Sequence, residues 1–201
     1  MKRAVIVANG GANVASLRFA LGRIGVEPEV SANPRVIRAA THVFLPGVGA
    51  AQDAMRRLAA AGLWDVIPRL TQPVLGICLG MQLLYAWSEE QETACLGVFP
   101  GLVRRLERAP GVAVPHIGWN RLRQIGTHAL IEDIEPGEFA YFVHGFAVSR
   151  GAETLAVCEH GAEFAAVVSR ENFHGAQFHP ERSARAGARL LANFMGLNGW
   201  N

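Results

Sequence analysis

The stretch that decides the fold is Pro73-Val-Leu-Gly-Ile-Cys-Leu-Gly-Met-Gln-Leu-Leu-Tyr-Ala-Trp87. It opens as a short apolar run, Val74–Cys78, and continues with a helical spacing of apolar residues, Leu79–Ser88. The junction is Gly76-Ile77-Cys78-Leu79-Gly80, a cysteine with glycines two positions away on both sides. A buried structural cysteine does not need that. A nucleophile on a sharp strand-to-helix turn does, because the backbone must turn tightly and pack closely, as in the Gly-x-Ser-x-Gly elbow of hydrolases.

Outward from this stretch, strands and helices alternate. Arg3–Ala8 reads as a first strand ending at Asn9-Gly10-Gly11, and Val14–Ile24 as a helix stopped by Gly25. Glu29–Ala32 and Thr41–Leu45 read as strands, the second closed by Pro46-Gly47-Val48-Gly49. Ala50–Ala61 is an alanine-rich helix. This alternation predicts an α/β protein with an open, mostly parallel, doubly wound sheet and helices on both faces. The second half predicts antiparallel strands at Leu102–Leu106, Val112–Pro115, Ala129–Ile131, Phe139–Val148, Thr154–His160 and Glu163–Ser169. A short strand at His174–Phe178 follows, then a closing helix, Ser183–Leu197, with Ser183 as its N-cap.

The 201 residues are enough for one domain with a full core, and no linker, repeat or low-complexity segment divides them. Half are hydrophobic and 18% are charged, which excludes a disordered chain. The net charge of +2 gives no nucleic-acid footprint, and Lys2 is the only lysine. Three cysteines, Cys78, Cys95 and Cys158, suit neither a disulfide framework nor a Cys-x-x-Cys metal site. The histidines have no metal-ligand spacing, and no apolar run reaches the length of a membrane span. The N-terminal apolar stretch is too short for a secretory signal and reads as a strand, so a reducing, cytoplasmic setting is expected. Ala8-Asn-Gly-Gly-Ala-Asn13 does not match Gly-x-Gly-x-x-Gly, which argues against a dinucleotide site.

A cysteine nucleophile needs a base, and the base needs an orienting group. Of seven histidines, His179 in Gly175-Ala-Gln-Phe-His-Pro-Glu-Arg-Ser183 stands out. It follows an apolar strand end, Pro180 stops the strand, and Glu181 lies two residues on, projecting to the same side of an extended segment. Taken alone, an exposed turn is the simpler reading; beside a cysteine elbow, a base with its carboxylate becomes the better one. The amide of Leu79 would face a developing oxyanion, and the glycine-rich loop at 46–49 could complete the hole.

Gly76–Gln82 together with His179-Pro180-Glu181 resembles the class I (triad) glutamine amidotransferases, over nearly the whole chain. Within that class the sequence is similar to the glutaminase subunits of imidazole glycerol phosphate synthases. That likeness rests on Leu-Pro-Gly-Val-Gly-Ala (45–50), Val-Pro-His-Ile-Gly-Trp-Asn (114–120), Tyr-Phe-Val-His-Gly-Phe (141–146) and Met81. The resemblance implies a single amidotransferase domain over 1–201 with a flavodoxin-like fold. It implies catalytic Cys78, His179 and Glu181, and an oxyanion hole from Leu79 with Val48 and Gly49, through a peptide rearrangement at Val48–Gly49 on activation. It places Gln82, Gly47, His144, Gly145 and Phe146 at the glutamine, and Asn13, Trp119 and Asn120 toward a partner. For Trp119 a place in the core is an equal alternative.

No cofactor or metal is implied. The partner is a (βα)8-barrel cyclase subunit, forming a heterodimer that uses the ammonia to make imidazole glycerol phosphate and AICAR in histidine biosynthesis. Two alternatives are a glutaminase for aminodeoxychorismate or pyridoxal-phosphate synthesis, and a non-catalytic partner-binding module of the same fold. Three departures stand out: Gly145 and Phe146 where the family has a hydroxyl residue and then tyrosine, Ala51 where it has phenylalanine, and a looser Asn9–Leu17 turn.

Overall fold

The structure is a computed structural model that describes residues 2–10, 13–124 and 126–199. The first half follows the alternation: β1 (Ala4–Val7), α1 (Val14–Arg23), β2 (Glu29–Ser31), α2 (Pro34–Arg38), β3 (His42–Gly47), α3 (Ala51–Ala60), β4 (Val74–Cys78) and α4 (Leu79–Leu83). The second half is β-rich: β5 (Tyr85–Ser88), β6 (Thr93–Ala94), β7 (Phe99–Arg105), β8 (His116–Arg121), β9 (Arg123–Gln124), β10 (Phe139–His144), β11 (Phe146–Ala147), β12 (Thr154–His160), β13 (Ala162–Arg170) and β14 (Phe173–Ala176). Helix α5 (Ala184–Gly196) closes the chain.

The main sheet has the order β2-β1-β3-β4-β14-β13-β12-β9. Its first five strands are parallel, and β13, β12 and β9 extend it antiparallel. A β8–β10 pair and a sheet of β11-β7-β5-β6 complete the architecture. The parallel strands are buried on both faces, so their sequences are continuously apolar rather than alternating. Alternate residues still divide between two cores. Ile6, Phe44, Leu75 and Ile77 pack with Leu17 and Leu21 of α1 and with Leu190 and Phe194 of α5. Val5, Val7, Val43, Leu45 and Val74 pack with Ile37 of α2 and with Met55 and Leu58 of α3. Each fully buried Leu, Ile or Phe contributes about 1.5–3 kcal/mol, so both helical layers are held by burial.

Several elements differ from the sequence expectation. The helix predicted over Leu79–Ser88 ends at Leu83, and Tyr85–Ser88 is a strand paired with β7 and β6. Tyr85 and Trp87 favour a pleated surface, and Tyr85 stacks on Phe99 with ring centroids 5.2 Å apart. Val112–Pro115 is not a strand; pairing begins at His116, after Pro115, which has no N–H to give to a ladder. Ala129–Ile131 is a 3-10 turn capped by the His128 ring, which accepts from the Leu130 amide. The predicted strand Phe139–Val148 is broken at Gly145 into β10 and β11, which join different sheets. Helix α2 has no counterpart in the expectation, although Asn33 caps it by accepting from the Arg35 amide and Pro34 occupies its first position.

Ser183 precedes α5 but makes no capping bond. Its hydroxyl donates to the His179 carbonyl (2.7 Å) and accepts from the Tyr141 amide (2.9 Å). Gly11 and Ala12 of the N-terminal turn, and the ends of the 1–201 domain, lie outside the described residues.

Candidate active site

Cys78 is the last residue of β4, the strand between β3 and β14 near the middle of the sheet. Ligands of open α/β sheets bind beyond such carboxyl ends. Its backbone has φ 54° and ψ −113°, a strained combination for a residue with a Cβ. The two flanking glycines make the turn sterically accessible. A Cβ on Gly76 would lie 2.7 Å from the Gly80 carbonyl oxygen and from the Met81 backbone. A Cβ on Gly80 would lie 1.7 Å from the Leu45 carbonyl oxygen. Both are therefore close backbone approaches that seat α4 against β4 and β3. Gly47 sits opposite Cys78 in the β3–β4 register and is itself pressed against Gly80.

Beyond the end of β14 at Ala176, Gln177 and Phe178 carry the chain to His179, which brings the second element to the thiol. His179 Nδ1 lies 2.8 Å from Glu181 Oε1, and both side chains are buried. The 3-10 turn Pro180–Arg182 sets this geometry. Helix α5 holds the turn down through Gly187, where a Cβ would meet the Pro180 carbonyl oxygen at 1.9 Å. Burial pulls the imidazole toward deprotonation. Hydrogen bonds to Cys78 and Glu181, and the charges of both, outweigh it and hold His179 up at about 10. An imidazolium between a thiol and a carboxylate is the arrangement that supports a thiolate nucleophile.

The other two cysteines, Cys95 and Cys158, lie apart from this turn. Burial, then the charge of Glu90, pushes Cys95 up to about 11, and burial pushes Cys158 up to about 12. Both are unreactive thiols at neutral pH.

A cavity of about 260 Å³ opens over the thiol. Its walls include Val48, Gly49, Gln82, His144, Gly145 and Phe146, with Cys78, Leu79 and His179. These candidate residues come from four separate chain segments. Gly49 has φ +89°, which glycine adopts without strain. Leu79 is the first residue of α4, so its amide has no partner within the helix. A larger cavity, of about 600 Å³ beside Gln124 and His128, contains neither Cys78 nor His179.

The three residues proposed for a partner face part ways. Trp119 is 53% exposed, which excludes a place in the core, and packs edge-on to Tyr141 at 5.7 Å. Asn120 turns inward instead, donating to the Glu159 carbonyl (2.8 Å) and facing His116. The Asn13 amide reaches the His179–Glu181 pair, 3.0 Å from His179 Nδ1 and hydrogen-bonded to Glu181 Oε1.

Other residues at the site were not identified from the sequence. Gln177 places its amide nitrogen 3.8 Å from the Cys78 sulfur and accepts from Gln82 (2.9 Å). Its position two before His179, just past the end of β14, was the available signal. Strand β10 passes over Cys78: the Val143 carbonyl is 3.7 Å from its sulfur, and the Tyr141 carbonyl accepts from the His179 amide (3.0 Å). No spacing rule reveals contacts made by carbonyls.

Among the described residues, no cluster of three or more His, Cys, Asp or Glu could hold a metal ion, and no helix is long and apolar enough to cross a membrane.

The family model for Glutamine amidotransferase class-I matches residues 5–196. The chain is 48% identical over 198 residues to the imidazole glycerol phosphate synthase subunit HisH of Xylella fastidiosa, covering 98% of this chain and 99% of that one. It is 50% identical over 189 residues to HisH of Xanthomonas campestris, covering 94% of each. Among solved structures, PurLQS from Thermotoga maritima superposes with a TM-score of 0.74 at 21% identity, covering 97% of this chain and 98% of that one. A structure described as a glutamine amidotransferase gives 0.75 at 18%, covering 96% and 99%. At those identities the two structures speak for the fold alone. The family match spans both the cysteine elbow and the His-Pro-Glu turn, and the full-length relatives share about half of the sequence, so this chain belongs to the class-I glutamine amidotransferases.

Proposed function

We propose that the chain is the glutaminase subunit of an imidazole glycerol phosphate synthase, and that Cys78, His179 and Glu181 are its catalytic residues. The observation that carries this is Cys78 and His179 lining one cavity, with Glu181 2.8 Å from the imidazole. The end-to-end likeness to the HisH subunits supplies the choice of synthase.

In this reading the Cys78 thiolate attacks the side-chain amide carbon of glutamine. The oxygen that becomes negative is met by the Leu79 amide and by an amide of the Val48–Gly49 peptide. His179 gives its proton to the leaving nitrogen, ammonia departs, and a glutamyl thioester remains on Cys78. Water then attacks the thioester, His179 takes one of its protons, and glutamate leaves. Glu181 keeps the imidazole oriented and stabilises its charged form throughout. Gly47, Gln82, His144, Gly145 and Phe146 hold the rest of the substrate. The family's hydroxyls are missing at 145 and 146, so the backbone of that segment supplies the polar contacts.

Ammonia passes to a (βα)8-barrel cyclase subunit in a heterodimer. The outer face of the β8–β10 pair is the docking surface that fits. Ile117, Trp119, Phe139 and Val143 are exposed there, on alternate positions of the two strands. An exposed apolar set of this kind marks an interaction site.

Glutamate release from glutamine tests the reading, measured on the chain alone and then with the barrel subunit and its ribulosyl ligand. A large rise on adding both, abolished by Cys78→Ala, is the expected result. High activity alone, or no response to barrel and ligand, overturns the assignment to this synthase.

A further inference from the structure

From His144 in the cavity wall, a chain of side chains leads back through His116 to Asn120, two residues to which the mechanism gives no role. The His144 Nδ1 is 2.8 Å from the Phe146 carbonyl oxygen, which can only accept, so Nδ1 carries the proton and Nε2 is an acceptor. That Nε2 is 3.1 Å from His116 Nδ1, which must therefore be a donor. His116 Nε2 is then an acceptor, and the Asn120 amide nitrogen faces it at 3.3 Å. Each ring nitrogen has one role, and the direction of every bond is fixed. A proton added to either ring would place two N–H groups against each other. Burial, followed by neighbouring histidine charge, agrees with this: His116 is pushed down to about 4 and His144 to about 3.

The His116 ring is also packed between two flat neighbours. It stacks on Phe142 (centroids 5.0 Å apart, planes at 23°) and on His160 (4.1 Å, 20°). The far end of the chain is the node. The Phe146 carbonyl also accepts from Gln82 (2.8 Å), Gln82 donates to Gln177 (2.9 Å), and Gln177 reaches the Cys78 sulfur (3.8 Å). His144, Phe146, Gln82 and Cys78 all line the cavity.

We infer that His116 is a positioning residue for glutamine: through His144 it fixes the Phe146 carbonyl, and with it the Gly145–Phe146 wall of the pocket. This rests on the reading of that cavity as the glutamine site. His116 touches no substrate. Its importance follows from Gly145, which has no side chain to brace the segment, and from Phe146, whose ring offers no hydroxyl. The β7 ladder holds the outer side of this segment, with the Leu106 amide donating to the Gly145 carbonyl (2.9 Å), and the hydrogen bonds from His144 and Gln82 fix the Phe146 carbonyl on the pocket side.

The test is saturation labelling of Cys78 by a diazoketone analogue of glutamine, compared with iodoacetamide, which needs no glutamine pocket. His116→Phe keeps a flat ring for stacking and removes the donor. The half-saturating concentration of the analogue should rise about tenfold, the size of one lost hydrogen bond, while the maximal labelling rate and the iodoacetamide rate stay within about twofold. In the assembled complex, KM for glutamine should rise similarly with kcat held. His116→Asn restores an N–H near the Nδ1 position and should recover most of the affinity. An unchanged half-saturation in His116→Phe, equal losses in both variants, or a matching fall in the iodoacetamide rate overturns the inference. If His116→Phe does not fold, Asn120→Ala reads the same chain one link earlier. It should raise half-saturation about twofold to threefold, and no change there refutes the chain. Wild-type protein that shows no saturable labelling by the analogue would refute the glutamine reading itself. Saturable wild-type labelling with an indifferent His116→Phe would refute only the role of His116.

Discussion

Replacing Gly80 by alanine should damage activity more than any other single methyl group added near the site. The new Cβ would sit 1.7 Å from the Leu45 carbonyl oxygen, whereas real Cβ atoms essentially never come within 3.0 Å. The obstacle is the backbone of a central strand, so it cannot swing aside as a flexible side chain would. Helix α4 must withdraw from β3 by more than an ångström. Forced overpacking of this kind costs roughly 1–3 kcal/mol, and a backbone clash belongs at the upper end. For a chain of this length about 3 kcal/mol lowers Tm by roughly 6–12 °C. Cys78 and Leu79 lie at the start of α4, so the proposed nucleophile and one proposed oxyanion donor move with the helix. A displacement of about 1 Å at reacting groups costs on the order of a hundredfold in rate. Thermal unfolding followed by circular dichroism gives the first quantity and glutamate release from glutamine gives the second. Gly196→Ala is the matched control. Nothing lies within 4 Å of a Cβ there, and the backbone is not left-handed. It should leave activity unchanged and raise stability by about 0.4–1 kcal/mol. Wild-type Tm and wild-type turnover in Gly80→Ala would refute the argument that these glycines exist for close packing.

Glu181→Gln removes a charge that raises His179, so its imidazole should lose its proton at a clearly lower pH, visible by NMR titration, and turnover should fall with it. The stabilisation that this raised group supplies is complete below about pH 6.5 and fades as pH climbs toward 10. An unmoved titration midpoint would mean that Glu181 does not set the state of His179. Trp119→Ala should weaken binding to the barrel subunit tenfold or more, read by calorimetry, while changing folding stability by less than about 1 kcal/mol; the reverse pattern would show that the indole is structural. Acid should destabilise the chain well above the range where carboxylates titrate. His116, His144 and His174 are held neutral by burial, near 4, 3 and 3. Unfolding lets each take a proton below about pH 6.5, so at pH 5 each costs on the order of 2 kcal/mol. Denaturation midpoints that stay flat from pH 7 to 5 would contradict the burial of these rings.

The elements that carry the site were legible because their signals are local. Val74–Cys78 reads as a strand from its own residues, and Gly76 and Gly80 declare a tight turn whatever lies around them. His179 and Glu181 share a face through simple two-residue spacing. The second half resisted for physical reasons. In β8 the apolar residues Ile117 and Trp119 face outward, while the buried position is His116. A pattern that assigns apolar residues to the core reads such a strand inside out, and the expectation slid onto Val112–Pro115 instead. Tyr85–Ser88 continues an apolar run from α4, and only its pairing with β7 makes it a strand. Gln177 and the carbonyls of Tyr141 and Val143 act through contacts between segments distant in sequence. No window along the chain contains both partners.

Strand β10 has a consequence for how this protein can change over time. Its carbonyls touch the Cys78 sulfur and the His179 amide, its inward residues Phe142 and His144 fill the core and line the pocket respectively, and its outward residues Phe139 and Val143 belong to the apolar face. One inserted or deleted residue would exchange all three roles at once, so its length is frozen. The outward side chains are free of that constraint, since they can be rewritten without moving a single carbonyl. A lineage could exchange one docking partner for another by repainting the outer faces of β8 and β10 while its chemistry ran undisturbed one peptide's thickness beneath.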